Sequence, residues 1–154
     1  CNKLTHLKLA FCQQINDFRF LEHCSELTDL NLSWCKQIND ITFLKHCIKL
    51  THLNLSFCEH INNITILQHC KELTSLDLSW CNHIYDITSL QHCNKLAHLS
   101  LFACNNIFDI TILQHCNALT HIELTWDQIM DDVSVQLLRD KGVIVKQDGN
   151  GIFF

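Results

Sequence analysis

The chain has 154 residues, a hydrophobic fraction of 47% and a formal net charge of −5. That length sets one domain with apolar residues enough for a continuous core. The acidic balance excludes a general nucleic-acid binder, which would show a basic face; no apolar run approaches a membrane span, and no signal-peptide pattern opens the chain.

From Leu4 onward one unit recurs every 23 residues. Its clearest copy is Leu73 to Cys93, L-x-x-L-x-L-x-x-C-x-x-I-x-x-I-x-x-L-x-x-C. The first leucine returns as Leu4, Leu27, Leu50, Leu73, Leu96 and Leu119, and the third as Leu9, Leu32, Leu55, Leu78, Leu101 and Leu124. The later apolar places are filled by Ile15, Ile38, Ile61, Ile84, Ile107 and Met130, and then by Phe18, Ile41, Ile64, Ile87, Ile110 and Val133. A second period of 46 residues overlies the first in Trp34, Trp80 and Trp126, so the copied unit is a pair of repeats.

Alternate leucines point to one face of a strand, so Leu76 and Leu78 turn inward while Ser75, Asp77 and Ser79 turn outward. So short a strand needs neighbours, and parallel rungs ~4.8 Å apart supply its backbone partners. Six rungs predict a sheet roughly 25 Å wide. Asp17, Asp40, Asn63, Asp86, Asp109 and Asp132 precede the next apolar residue. Their side chains cap a helical turn by accepting its free N–H groups, and the few residues that follow predict a 3₁₀ turn rather than an α-helix.

These columns resemble the leucine-rich repeat family over nearly the whole chain. The D-I-T-x-L segment is similar to the short repeats of internalin-type proteins, and the cysteine after L-x-L-x-x to the repeats of F-box substrate receptors, whose convex segment is usually longer. The resemblance implies an α/β solenoid: a concave parallel β-sheet, short convex turns and a C-terminal helix and strand as cap. Residues 1–126 then hold the repeats, and 127–154 a last degenerate repeat and the cap. In the cap, Val133, Leu137 and Leu138 are spaced for one helical face, Asp131 and Asp132 suit the first turn and Gly142 the stop. Val143-Ile144-Val145 reads as a closing strand, and Asp148-Gly149-Asn150-Gly151 as a turn before Ile152-Phe153-Phe154. The chain begins in mid-repeat at Cys1, and because terminal repeats need a polar outer face a leading segment is expected before it. The uncapped first rung also offers a route to self-association.

The eleven cysteines fall in two columns: Cys1, Cys24, Cys47, Cys70, Cys93 and Cys116, and Cys12, Cys35, Cys58, Cys81 and Cys104. Both should face inward as small apolar residues. Thiols on neighbouring rungs come within disulfide reach, so the columns predict a reducing compartment, cytoplasm or nucleus. Histidines precede the first column at His23, His46, His69, His92 and His115. A zinc reading of these pairs fails, because no C-x-x-C exists and successive extended residues point to opposite sides. The sequons at Asn31, Asn54 and Asn63 would matter only in a secreted chain. No phosphate-cradling loop or nucleophile elbow occurs. A Cys/His pair copied into every repeat is not the single tuned pair catalysis needs. The sequence thus predicts no enzyme, no metal and no cofactor.

The candidate site is the concave face. Its outward columns run through His6, Asp29, His52, Ser75, His98 and His121; through Lys8, Asn31, Asn54, Asp77, Ser100 and Glu123; and through Ala10, Ser33, Ser56, Ser79, Phe102 and Thr125. An aromatic column of Phe11, Trp34, Phe57, Trp80 and Trp126, broken by Ala103, runs beside them. Two readings stand. The rings and polar side chains contact a partner protein, since Trp is enriched among interface hot spots, or the rings stack on one another and only cover the sheet edge. The first makes the chain a protein-interaction module with no nucleic-acid or membrane partner. The alternatives are a ubiquitin-ligase substrate receptor, which would need an F-box, a microbial host-contact protein, which would need secretion, and an engineered scaffold.

Overall fold

The computed structural model describes residues 3–125 and 132–146. Seven short strands follow one another: β1 (His6–Lys8), β2 (Asp29–Asn31), β3 (His52–Asn54), β4 (Ser75–Asp77), β5 (His98–Ser100), β6 (His121–Glu123) and β7 (Ile144–Lys146). They form one parallel sheet in chain order. Each rung lies on the next in the register of the repeat, Leu7 opposite Leu30, Leu53 opposite Leu76 and Ile122 opposite Val145. A parallel strand cannot return through a tight hairpin, and here the return runs through 3₁₀ turns at Arg19–His23, Thr42–His46, Thr65–His69, Thr88–His92 and Thr111–His115.

The capping residues act as their chemistry predicts. The side-chain oxygen of Asp40 accepts the Thr42 N–H at 2.8 Å, and Asn63, Asp86 and Asp109 do the same for Thr65, Thr88 and Thr111. In the first repeat Asp17 accepts the Arg19 N–H and also pairs with the Arg19 guanidinium at 2.7 Å, which holds its carboxyl at about 2. The acceptor stands one residue before the position that flanks the turn, so it meets the first N–H of the turn and no later one.

The core fills the space between strands and turns with the leucine, isoleucine and cysteine columns. Leu4, Leu7, Leu9, Cys12 and Ile15 are half-buried, because β1 is the outer strand of the sheet. At the other end, helix α1 (Asp132–Asp140) packs against the last 3₁₀ turn and β7. Gly142 ends it in the left-handed region at φ +83°, with the Gly142 N–H on Arg139 O and the Val143 N–H on Leu138 O, the two bonds of a Schellman cap.

The face that α1 buries corrects the spacing argument. Val135 and Leu138 are inside, whereas Val133 is 70% exposed and Leu137 is also exposed. The helix carries two apolar stripes, 133/137 and 135/138, and periodicity alone does not choose between them. Docking against β7 does. Val133 therefore does not continue the buried column of Ile41 and Ile64. Cys1, Trp126, Asp127, Met130, Asp131 and the Asp148–Gly151 turn with Ile152-Phe153-Phe154 lie outside the described residues.

Candidate functional site

The aromatic column rests on an unusual backbone. Phe11, Trp34, Phe57, Trp80 and Ala103 all sit at positive φ, between 57° and 65°. The left-handed region costs a non-glycine residue about 1–2 kcal/mol, and here it recurs once per rung. It turns the chain out of the strand while keeping the ladder intact: the N–H groups of Phe11, Trp34 and Phe57 each reach the carbonyl of a serine on the next rung at 2.8 Å. The same turn sets the rings above one another. Phe11 stacks on Trp34 at 5.6 Å, Trp34 on Phe57 at 3.9 Å and Phe57 on Trp80 at 5.4 Å between centroids. Each such pair adds about 0.5–1.5 kcal/mol beyond its buried area, which offsets much of the backbone cost. At Ala103 the stack ends, and Phe102 meets Trp80 edge-on at 6.2 Å. Lys36 Nζ lies 5.6 Å from the Trp34 ring. The rings do stack, yet they also stay open to solvent, Phe11 at 64% and Trp80 at 41%.

The polar columns divide. In the first, His6 and His52 are exposed, Asp29, His98 and His121 half-buried, and Ser75 is buried. The rings of His98 and His121 are 4.9 Å apart, and burial followed by the neighbouring His121 and His52 lowers the His98 pKa. In the second column Lys8 is exposed and Asn31 half-buried, but Asn54, Asp77, Ser100 and Glu123 are buried. The alternation places them on the concave side as expected, yet it does not leave them free for a partner. One side-chain oxygen of each is already engaged: Asn54 Oδ1 accepts the Ser56 N–H and hydroxyl at 2.9 and 2.7 Å, and Asp77 Oδ1 accepts the Ser79 N–H at 2.9 Å. Ser79 Oγ is 2.7 Å from Ser100 Oγ, and Ser100 Oγ is 2.9 Å from Glu123 Oε2. The open part of the face is thus the histidine column, Lys8 and the rings.

The cysteine columns point inward. Among the described residues all ten cysteines are free, and all of them are buried except Cys12, which is half-buried. Cys35, Cys58, Cys81 and Cys104 turn their thiols to the carbonyls of Leu9, Leu32, Leu55 and Leu78, one rung back, at 2.9–3.2 Å. Burial pushes Cys58, Cys70, Cys93 and Cys104 up to about 12, with Cys47 and Cys116 at about 11. Only the thiolate attacks electrophiles or metals, so these thiols are chemically quiet in the fold. The histidines before them, His23, His46, His69, His92 and His115, are exposed on the convex side. Each H-C pair therefore faces two ways.

A search of the curated proteins finds no significant sequence match. The sequence profile described as "Leucine Rich repeat" matches residues 1–17, 23–41, 46–64 and 69–86. The chain belongs to the leucine-rich repeat family. Solved leucine-rich repeat structures share its fold. The internalin inlF of Listeria monocytogenes is 18% identical at a TM-score of 0.60, over 88% of this chain and 51% of that one. Internalin C2 of the same organism is 20% identical at 0.65, over 92% and 69%. A leucine-rich repeat protein of Leptospira interrogans is 13% identical at 0.50, over 94% and 49%. The chain spans about half the length of the inlF structure, and at these identities the likeness is one of fold.

One feature of this leucine-rich repeat surface lies in a column that the sequence reading passed over. Tyr85 and Phe108 are exposed on neighbouring rungs, where the three preceding repeats carry Asn16, Asn39 and Asn62. With Asn62, His83, Asn106 and Asp109 they line an open groove of about 520 Å³. The signal was the change to aromatic residues in a column that is asparagine in the first three repeats.

Proposed function

We propose that the chain is a non-enzymatic protein-interaction module that takes a partner protein on the concave sheet. The observation that carries this reading is the ring stack. Four large aromatic residues stand at a strained backbone position, next to exposed His6 and His52, and Phe11 and Trp80 keep much of their surface in solvent. Rings that served packing alone would be closed over, while half-open rings beside a polar column match the composition of interface centres. Trp34, Phe57 and Phe102 complete the edge; Trp126, which continues the column in the sequence, lies outside the described residues. Asp29, Asn31, Ser75, His98 and His121 line it, with Asn54, Asp77 and Glu123 setting its floor. The quiet thiols support a cytoplasmic or nuclear location, because a column of buried thiols is kept reduced there.

The test is a double substitution, Phe11→Ala with Trp80→Ala. Alanine is accepted at this left-handed site, as Ala103 demonstrates at φ 57°. Capture of a partner from the native lysate should fall at least tenfold, with the thermal midpoint little changed. Capture equal to that of the parent would overturn the reading. Asp77 is unsuitable for this test, since it is buried and hydrogen-bonded.

A second reading, a microbial host-contact protein, draws on the internalin fold and requires secretion. Titration of the thiols in freshly isolated protein separates the two, since all thiols free opposes the secreted form. The F-box receptor reading rests on the cysteine after L-x-L-x-x alone and would need an F-box in the same protein. Self-association through the first rung would appear as a concentration-dependent mass in sedimentation.

A further inference from the structure

Between β4 and β6 four side chains form a line: Asp77, Ser79, Ser100 and Glu123. Ser79 Oγ is 2.6 Å from Asp77 Oδ1 and 2.7 Å from Ser100 Oγ, and Ser100 Oγ is 2.9 Å from Glu123 Oε2. All four residues are buried, Asp77 at 6% exposure and Glu123 at 0%. Every contact along the line joins two oxygens, so each needs one proton between them. The two hydroxyls bring one proton each, and ionised carboxylates bring none. Three contacts therefore meet two protons. A contact without a proton would press lone pairs together at under 3 Å, away from water, where an unmatched polar group is most costly.

We propose that the concave sheet is a binding site for one further proton, held on the Asp77 carboxyl, so that Asp77 is a neutral acid in the folded protein at neutral pH. The line then runs in one direction. Asp77 donates to Ser79 Oγ, Ser79 to Ser100 Oγ, and Ser100 to the Glu123 carboxylate. The flanking rungs place the proton at this end. Asp77 faces Asn54 on β3 and Ser100 on β5, both neutral, whereas Glu123 on β6 faces Lys146 on β7. The other titratable groups nearby are His52, His98 and His121 in the neighbouring column and the thiols of Cys58, Cys81 and Cys104 in the core. Burial raises the Asp77 pKa, against the two bonds from Ser79, and burial likewise raises the three thiols, which therefore stay neutral beside it. Asn54 and Ser56 form the same motif one rung earlier with an amide in place of the acid, so the proton requirement begins at Asp77.

The sign follows from linkage. The folded pKa of Asp77 lies above its unfolded value of about 3.9. Between the two, the folded state holds one proton more than the unfolded state, so stability falls as pH rises, by about tenfold in the unfolding constant per pH unit. Two substitutions remove the need. In Glu123→Gln the amide N–H supplies the third proton and Asp77 can ionise. In Ser100→Ala the line is cut, and the Ser79 hydroxyl serves Asp77 alone. The experiment is urea unfolding of the three proteins from about pH 5 to 7, with infrared spectra of folded protein carrying ¹³C-labelled aspartate. The ratio of wild-type to variant unfolding constants should rise about tenfold per pH unit. A protonated-carboxyl band that moves with the aspartate label should be present at neutral pH and lost in Glu123→Gln. Slopes equal in all three proteins, no such band, or a band that follows labelled glutamate instead would overturn the assignment.

Discussion

Asp86 illustrates how much one acceptor atom contributes to a rung. Its carboxylate takes the Thr88 N–H at 2.8 Å, and that bond, with the Thr88 side chain second, lowers its pKa. A depressed acid contributes stability above its unfolded value, and loses it as pH falls through the folded value. Asp86→Ala should cost about 1 kcal/mol at neutral pH. Asp86→Asn should cost far less, because Asn63 makes the same bond to Thr65, and that small cost should shrink and then reverse below about pH 4, where the parent's unfolded chain takes up the proton before the folded one does. Urea unfolding of the three proteins at neutral and acid pH checks both statements. Equal losses in the two variants would mean that charge, not the acceptor, matters at this site. The capping column was legible in the sequence because Asp and Asn are chosen by what their oxygens accept. The left-handed turn was not. Positive φ is ordinarily marked by glycine or asparagine, and here phenylalanine and tryptophan occupy it. Their stacking across rungs, a contact between residues 23 apart, was one of the two readings the column offered, but the backbone turn that sets the rings above one another was not.

At the scale of elements, strand and turn were readable and the orientation of the helix was not. Period two and a short return leave one solution when every copy repeats it. Helix α1 occurs once, carries two apolar stripes, and takes its orientation from what it docks against. Leu138 is buried and Leu137 is one position away and exposed. Leu138→Ala should cost about 2–5 kcal/mol, the range for emptying a core leucine site. Leu137→Ala should stay within about 1 kcal/mol, and alanine suits a helix. Denaturant unfolding of the pair reads the difference. A larger loss at Leu137 than at Leu138 would show that α1 docks on the 133/137 stripe in solution. The polar columns fall between these cases. Alternation alone set Asp77, Ser100 and Glu123 on the concave side, but whether a side chain there meets solvent or its neighbours depends on how three successive rungs bond, and burial settled that at Ser79 and Ser100.

Across the whole molecule, a solenoid holds together by contacts between adjacent rungs, so opening should spread from a weakly covered end rather than occur everywhere at once. The described ends differ: the leucines of the first rung are half-buried, while α1 and β7 pack on the last 3₁₀ turn and β6. The cysteines report this rung by rung. A buried thiol with its pKa near 12, such as Cys58 or Cys104, reacts with an alkylating reagent only after its rung opens and releases it to an ordinary thiol. Pulse alkylation of native protein, read by mass spectrometry of peptides, should therefore label Cys12 first and then Cys24 and Cys35. Cys70, Cys81 and Cys93, in the middle of the stack, should follow last, with Cys104 and Cys116 held back by the helix. Deleting α1 should reverse the order at that end and speed Cys116 most, because its cover is lost while the rungs before it are unchanged. Labelling of all buried thiols at one common rate would instead mean that the rungs open only together, and nearest-neighbour coupling would then be strong enough to make the whole stack a single cooperative unit.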